Sequence, residues 1–492
     1  MGSRKTSLMR PPAPSKTVME AASPKHAAND AEPGSSLSWI PSNLNLTLPP
    51  YLALIAALEE DVRKGILPHG TQLPPHRALA LQLGLSLSTV SKAYREANAR
   101  GIVTGRVGQG TFVARRAASD MESRAGRTAN FSVNLAPDVG QMEKLRMAMA
   151  EIMRSGDIDR LFAYDAGQGL REHCAVLAEW IATPGFRPSP DLLLATNGAQ
   201  HGLDLALSIL CKPNDTILVE QLTYVGFKAL ASLHRYSLTP VEMDAEGMVP
   251  EALDQKLQQS GARVVYAMPT LHTPTSRTMD AQRRQRIADV LVKHDAMLIE
   301  DDVYAFLINP KPDPIAGLIP DRTIYLASLS KVFELGFRAG IAVVPAALLE
   351  RARLAMRASA WSATPLLFEL SRKLILSGEL EDVVVSLRKE TRRRADLFRN
   401  FFPEQELPQE RTLAGYHVWM DIPDGWTADE LFFVARNHGI LLTPPGSAAV
   451  DQNGERGVRV CLGACAAREL DAGLGALRQI LSRPPRSAFS VA

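Results

Sequence analysis

The chain has 492 residues, too many for one hydrophobic core and enough for two or three domains. Its 55 Lys and Arg stand against 53 Asp and Glu, so no global field marks a nucleic-acid or membrane-surface protein, and any basic patch must be local. The four cysteines (Cys174, Cys211, Cys461 and Cys465) lack metal-type pairing, and no apolar run reaches membrane-span or signal-segment length. This argues against a disulfide framework or metal site and for a cytoplasmic location.

Residues 1–44 are rich in Pro, Ser, Ala and scattered charge and are expected to be disordered, with packing starting near Trp39-Ile40-Pro41. From Tyr51 the pattern changes. Tyr51, Leu54, Ile55, Leu58 and Val62 recur at helical spacing. A second helix is expected after Leu73-Pro74-Pro75, with Ala78, Leu79 and Leu83 inward and Gly84 as its stop. A third, capped by Ser86 or Ser88, turns Val90, Ala93, Tyr94 and Ala97 inward and leaves Ser88, Ser91, Lys92 and Arg95 on one outer face. Two helices joined by a Gly-containing turn form a helix-turn-helix, whose second helix enters the major groove. Gly101 to Val113 then reads as two short strands around a Gly-rich turn, a wing. Between Tyr51 and Arg116 there are nine Lys/Arg against four Asp/Glu, a local patch able to displace counterions from DNA.

Residues 117–130 lack periodicity and read as a linker. Across 131–482, helical patterns alternate with apolar runs such as Leu192–Ala195, Thr216–Val219, Val264–Ala267, Met297–Ile299 and Thr323–Leu326. That alternation implies a mostly parallel sheet with helices on both faces, followed by a small α+β C-terminal subdomain and a tail at 483–492. Ligands of such sheets bind at the C-terminal ends of strands. Lys331 sits just past one such end and can form a Schiff base with an aldehyde cofactor, while Ser328 and Arg338 suit a phosphate. Asp301 and Tyr304 follow another strand, where a carboxylate can reach a pyridine nitrogen and a phenol the ring's 3-oxygen. Thr196-Asn197-Gly198-Ala199-Gln200, between a strand and a helix, suits an anion.

With these residues in view, the C-terminal two-thirds resembles a fold-type I pyridoxal 5′-phosphate-dependent aminotransferase. Joined to its winged helix-turn-helix, the whole chain resembles the MocR branch of the GntR transcriptional regulators. The resemblance spans about residues 45–480 and implies a DNA-binding domain over 45–116. It assigns DNA contacts to Arg77 and Arg106 and, with the outer helix face and wing, to Ser88, Thr89, Ser91, Lys92, Arg95, Gly108 and Gly110. Pyridoxal phosphate would lie on the catalytic Lys331 among Gly198, Ala199, Gln200, Tyr224, Thr273, Asp301, Tyr304, Ser328, Ser330 and Arg338. Tyr164 would reach the phosphate of a second subunit in a homodimer, and Arg459 would clamp a substrate carboxylate. Four departures stand out: Leu87 early in the recognition helix, where the family has Arg; Leu222, where it has Pro; Thr273-Pro274-Thr275-Ser276, where it has Asn-Pro-Thr-Gly; and Leu335 in place of Pro. Double-stranded operator DNA and an amino acid or amine effector are the expected partners. The alternatives are a working aminotransferase tethered to DNA and a DNA-binding module whose large domain only dimerises.

Overall fold

The computed structural model describes residues 39–41, 44, 49–63, 66–67, 71–99, 102–106, 110–113, 129–155, 158–162, 171–405, 415–451 and 457–484. The chain separates into two compact units, Met1–Asp120 and Met121–Ala492.

In the first unit, helix α1 (Pro50–Arg63) buries Leu54, Ile55 and Leu58. Trp39 joins this core, its indole N–H donating to Asp61 at 2.9 Å. Helix α2 (His76–Leu83) starts where Pro74-Pro75 forbid an earlier turn and ends at Gly84, whose φ of 61° is the left-handed conformation that glycine tolerates. Helix α3 (Leu87–Ala99) is capped by Ser86, whose hydroxyl accepts from the Thr89 amide at 3.1 Å. Val90, Ala93, Tyr94 and Ala97 are all buried on its inner face. The Tyr94 hydroxyl donates to the Pro74 carbonyl at 3.0 Å, which fixes α3 against the start of α2. Strands β1 (Val103–Arg106) and β2 (Gly110–Val113) pair antiparallel and bury Val103 and Val113.

The second unit is built on a seven-stranded sheet. Its strands are β3 (Leu193–Thr196), β4 (Thr216–Glu220), β5 (Ser237–Val241), β6 (Val264–Ala267), β7 (Met297–Asp301), β8 (Thr323–Ser328) and β9 (Gly340–Val343). They lie in the order β3-β9-β8-β7-β6-β4-β5, parallel except for β9, which runs antiparallel to both neighbours. Strands β3, β6, β8 and β9 are buried at every residue, as expected for a sheet covered on both faces. The order is not sequential, so the strand ends open a crevice. Helix α4 (Ala199–Leu210) starts after β3, and α5 (Val225–His234) follows β4. The long helix α6 (Glu379–Phe401) leads to a smaller subdomain, where β10 (His417–Asp421) pairs antiparallel with β11 (Gly457–Cys461) beside α7 (Ala428–Asn437) and α8 (Ala467–Leu481). Phe131, Phe398, Phe402, Leu431 and Leu474 form its separate core. Among the described residues, no helix is long and apolar enough to cross a membrane.

Candidate functional site

Strand β7 ends in Asp301, a fully buried carboxylate. Its Oδ2 accepts from the Tyr266 hydroxyl at 3.0 Å. Tyr266 stands on the neighbouring strand β6 and is held flat by Phe227, stacked with ring centres 3.9 Å apart. Oδ1 of Asp301 makes no hydrogen bond of ordinary geometry. Burial, with Asp302 adding like charge, pushes the Asp301 carboxyl up to about 7. A buried carboxylate with an open lone pair is costly unless a cationic donor faces it.

Lys331 lies in a three-residue turn after β8. Its Nζ donates to the Asn134 carbonyl at 3.0 Å and stands 5.5 Å from the Tyr304 ring centre. Burial lowers its pKa, which favours the neutral, nucleophilic amine. Tyr416 fixes the turn by donating to the Lys331 carbonyl at 2.6 Å. Tyr304 is buried, and its hydroxyl accepts from Asn134 Nδ2 at 2.8 Å. Thr273 Oγ1 sits near that phenol but makes no hydrogen bond of acceptable geometry.

An anion cradle forms at the start of α4. Gly198 has φ 80°, a backbone conformation that favours glycine, and a Cβ there would lie 2.4 Å from Arg338 Nη2 and push the guanidinium aside. Arg338 Nη2 also donates to the Asn197 carbonyl at 3.3 Å. Ala199 and Gln200 open the helix, where backbone N–H groups lack intrahelical acceptors. The Gln200 amide donates to the Gly226 carbonyl at 2.9 Å. Ser328 and Ser330 are buried and brace the loop that carries Arg338. Ser328 Oγ lies 3.1 Å from the Ala339 carbonyl, and Ser330 Oγ donates to that of Phe337.

Tyr224 stands at the residue before α5, and the charges of Lys331, Asp301 and Arg338 and the phenol of Tyr304 act on its own phenol, which places it in the same crevice. Burial raises its phenol pKa. A cavity of about 470 Å³ opens beside Leu222, Thr273, Trp419, Pro444, Ser447 and Arg459. Arg459 lies on β11 opposite Trp419. Its Nη2 donates to the Ser132 carbonyl at 3.0 Å while Nε has no partner, so the guanidinium keeps donor capacity for an anion.

In the first unit, Arg77, Ser88, Lys92 and Arg95 are exposed, as is Leu87 at the start of α3. Lys92 also lies 3.8 Å over the Tyr51 ring. Two residues expected to contact DNA also make contacts within the unit. Ser91 is half-buried and hydrogen-bonded to His76 Nδ1 at 3.1 Å, and Thr89 is half-buried with its hydroxyl 2.8 Å from that of Ser86. Gly110 opens β2 with φ 108° and lies against Gln72. The Arg106 side chain, Gly108 and Tyr164 lie outside the described residues.

Residues 50–113 match the family model of bacterial regulatory proteins of the gntR family, and residues 128–477 match that of class I and II aminotransferases. The uncharacterized HTH-type transcriptional regulator YdeF of Bacillus subtilis is 32% identical over 90% of this chain and 97% of its own length. The chain belongs to the MocR branch of the GntR regulators. HTH-type transcriptional regulator TauR of Rhodobacter capsulatus is 24% identical to this MocR-type chain, over 78% of it and 86% of TauR. The fold of the large unit is also that of α-aminoadipate aminotransferase LysN from Thermus thermophilus, solved with N-(5′-phosphopyridoxyl)-L-leucine. The TM-score is 0.66 at 23% identity, covering 75% of this chain and 98% of that one.

Sequence reading of this MocR-type regulator missed Tyr266, Asn134 and Tyr416 as parts of the site. Tyr266 lies in an apolar strand run that reads as core, and Asn134 in a loop without periodicity. Tyr416 precedes the first strand of the small subdomain, where nothing local shows that it holds Lys331.

Proposed function

We propose that this MocR-type regulator holds pyridoxal 5′-phosphate on Lys331, takes an amino acid or amine there, and changes its affinity for operator DNA with that occupancy. The observation that carries the reading is Asp301, buried with one oxygen on Tyr266 and the other without a hydrogen bond of good geometry beyond the nearby Val303 amide, in a crevice that also holds Lys331. A protonated pyridine nitrogen is the donor such an oxygen lacks, and it would let the carboxylate ionise. Gly198 and Arg338, with the start of α4, suit a phosphate. Tyr224 is placed to lie against the ring, and Tyr304 to reach its 3-oxygen. When bound, the group supplies an electron-withdrawing ring and an aldehyde carbon that exchanges one amine for another.

Arg459 would bind the effector's carboxylate, and the apolar cavity beside it would take the side chain. Residues 45–116 would carry DNA binding through Arg77, Lys92, Arg95, Arg106 and the wing. The active form would be a cytoplasmic homodimer in which Tyr164 reaches the partner's phosphate.

A working aminotransferase is the second reading, favoured because Lys331, Asp301, Arg338 and Arg459 are all present. Thr273 weighs against it. Its single hydroxyl lies beside Tyr304 without good hydrogen-bond geometry and offers one donor on a short stem, which weakens the positioning needed for repeated proton transfer on that side. Turnover is therefore expected far below about 10 per second.

The test is a titration of purified protein with amino acids and amines, followed by visible absorbance and operator affinity. Ligands that perturb the spectrum should shift DNA affinity, and DNA should shift ligand affinity by the same factor. Spectral changes without any change in DNA affinity, together with rapid keto-acid formation, would favour the enzyme.

A further inference from the structure

Asn134 is 8% exposed and lies in the loop after Phe131, 170 residues before Tyr304 in sequence. It touches three groups of the site at once. Its Nδ2 donates to the Tyr304 hydroxyl at 2.8 Å, the same nitrogen lies 3.0 Å from His417 Nδ1, and its backbone carbonyl accepts from Lys331 Nζ at 3.0 Å.

The orientation of this amide follows from its neighbours. His417 Nε2 faces the His272 carbonyl at 3.3 Å, so that nitrogen carries the proton. Burial holds His417 neutral, which leaves Nδ1 as an acceptor. Only the NH2 end of Asn134 can meet an acceptor, and its second proton then goes to Tyr304. The Tyr304 hydroxyl thus receives a hydrogen bond from behind and keeps its own proton for an acceptor in front. Asn134 Oδ1 is buried with no partner, a sign that a donor arrives with the occupant.

We infer that Asn134 is a positioning residue for the cofactor's 3-oxygen, acting through Tyr304 from the loop opposite Thr273. A phenol that accepts one hydrogen bond is polarised into a better donor for the next. A stronger donor on the 3-oxygen stabilises its anionic form and so favours loss of the proton from the lysine-bound cofactor. The carbonyl of the same residue holds the Lys331 amine at its starting point. This inference rests on the pyridoxal phosphate reading above.

The experiment is a pH titration of the visible absorbance of cofactor-loaded protein. In Asn134→Ala the midpoint should rise by a few tenths of a unit, roughly a twofold change in proton affinity, because Tyr304 keeps its own bond to the 3-oxygen and loses only the polarisation from behind. Asn134→Asp keeps the volume but replaces the donor with an acceptor, which draws the Tyr304 proton away from the cofactor, so its midpoint should rise at least as far. Adding Thr273→Asn to Asn134→Ala should bring the midpoint back toward wild type, because the amide returns from the other side. A structural role alone would change melting temperature and leave the midpoint where it was. Midpoints in both Asn134→Ala and Asn134→Asp that match wild type overturn the inference, and thermal melts of each establish that the variants are folded. Wild-type protein that shows no lysine-bound absorbance would instead overturn the cofactor reading, and this inference with it.

Discussion

The two functional regions of this regulator expose their chemistry in opposite ways. On α3 the inner residues Val90, Ala93, Tyr94 and Ala97 make the fold, while Lys92 and Arg95 stand in water, where they add little to it. In the strand-end crevice the functional groups are themselves buried. Asp301, Tyr304, Ser328 and Ser330 belong to the interior of their unit, and Asp301 and Asn134 each keep an unsatisfied oxygen there. An exposed contact can be removed at almost no cost to stability, whereas a buried polar group without a partner destabilises the empty protein and is relieved by its ligand. Substitutions on the helix should therefore change binding far more than stability, and substitutions in the crevice should change stability as well, with a sign that depends on occupancy.

The largest effect is expected at Lys331. Lys331→Ala should abolish the lysine-bound cofactor's visible absorbance, and it should also shift the melting of the empty protein, because it removes a desolvated amine and its bond to the Asn134 carbonyl. An unaltered spectrum would place the attachment elsewhere.

Asp301→Asn sharpens the contrast. It should weaken cofactor binding by about ten- to a hundredfold, the loss of a charge-assisted hydrogen bond of about 1.5–3 kcal/mol. The empty protein should respond the other way. The folded-state pKa of Asp301, about 7, lies above its unfolded value of about 4, so the folded protein holds this proton more tightly. Its contribution to stability is present below about pH 4 and is lost as pH rises through about 7. Empty Asp301→Asn should therefore melt higher than empty wild type at pH 8, with the advantage shrinking toward pH 4. Glu300, also pushed up to about 7 by burial, will keep part of the wild-type pH dependence. A variant that melts lower than wild type at pH 8 would show that the carboxylate is not strained when empty.

On the other side of the comparison, Arg95→Ala should reduce operator affinity about three- to tenfold and lower the salt slope by about one, with melting unchanged. Lys92→Ala should do the same with a small stability loss, because Lys92 also sits over Tyr51. A melting shift as large as the binding loss would mean that these residues act through the fold. The smallest effect is at the turn between α2 and α3. A Cβ on Gly84 meets nothing within 4 Å, so Gly84→Ala carries only the left-handed backbone penalty of about 1 kcal/mol, measurable by denaturant unfolding.

How much of this was legible in the sequence follows the same division. The inner faces of α1 and α3 are periodic, so their burial could be read directly. The strand ends holding Asp301 and Lys331 could be read because β7 and β8 are apolar runs bounded by polar residues. Strand β5 gives a weak signal because Pro240 interrupts it, which an edge strand tolerates. Ser91 was placed on the outer face by spacing alone, which carries no information about His76 reaching across from α2. Asn134 left no local signal, because its role depends on Tyr304, His417 and Lys331, which folding brings to it from distant parts of the chain.

The most direct measurement of the central claim is borohydride reduction of the protein loaded with pyridoxal phosphate, followed by peptide mapping by mass. The account predicts one phosphopyridoxyl group per chain, on Lys331, and none on that peptide in Lys331→Ala. Reduction that leaves Lys331 unmodified, or that spreads label over exposed lysines in proportion to their accessibility, would contradict it.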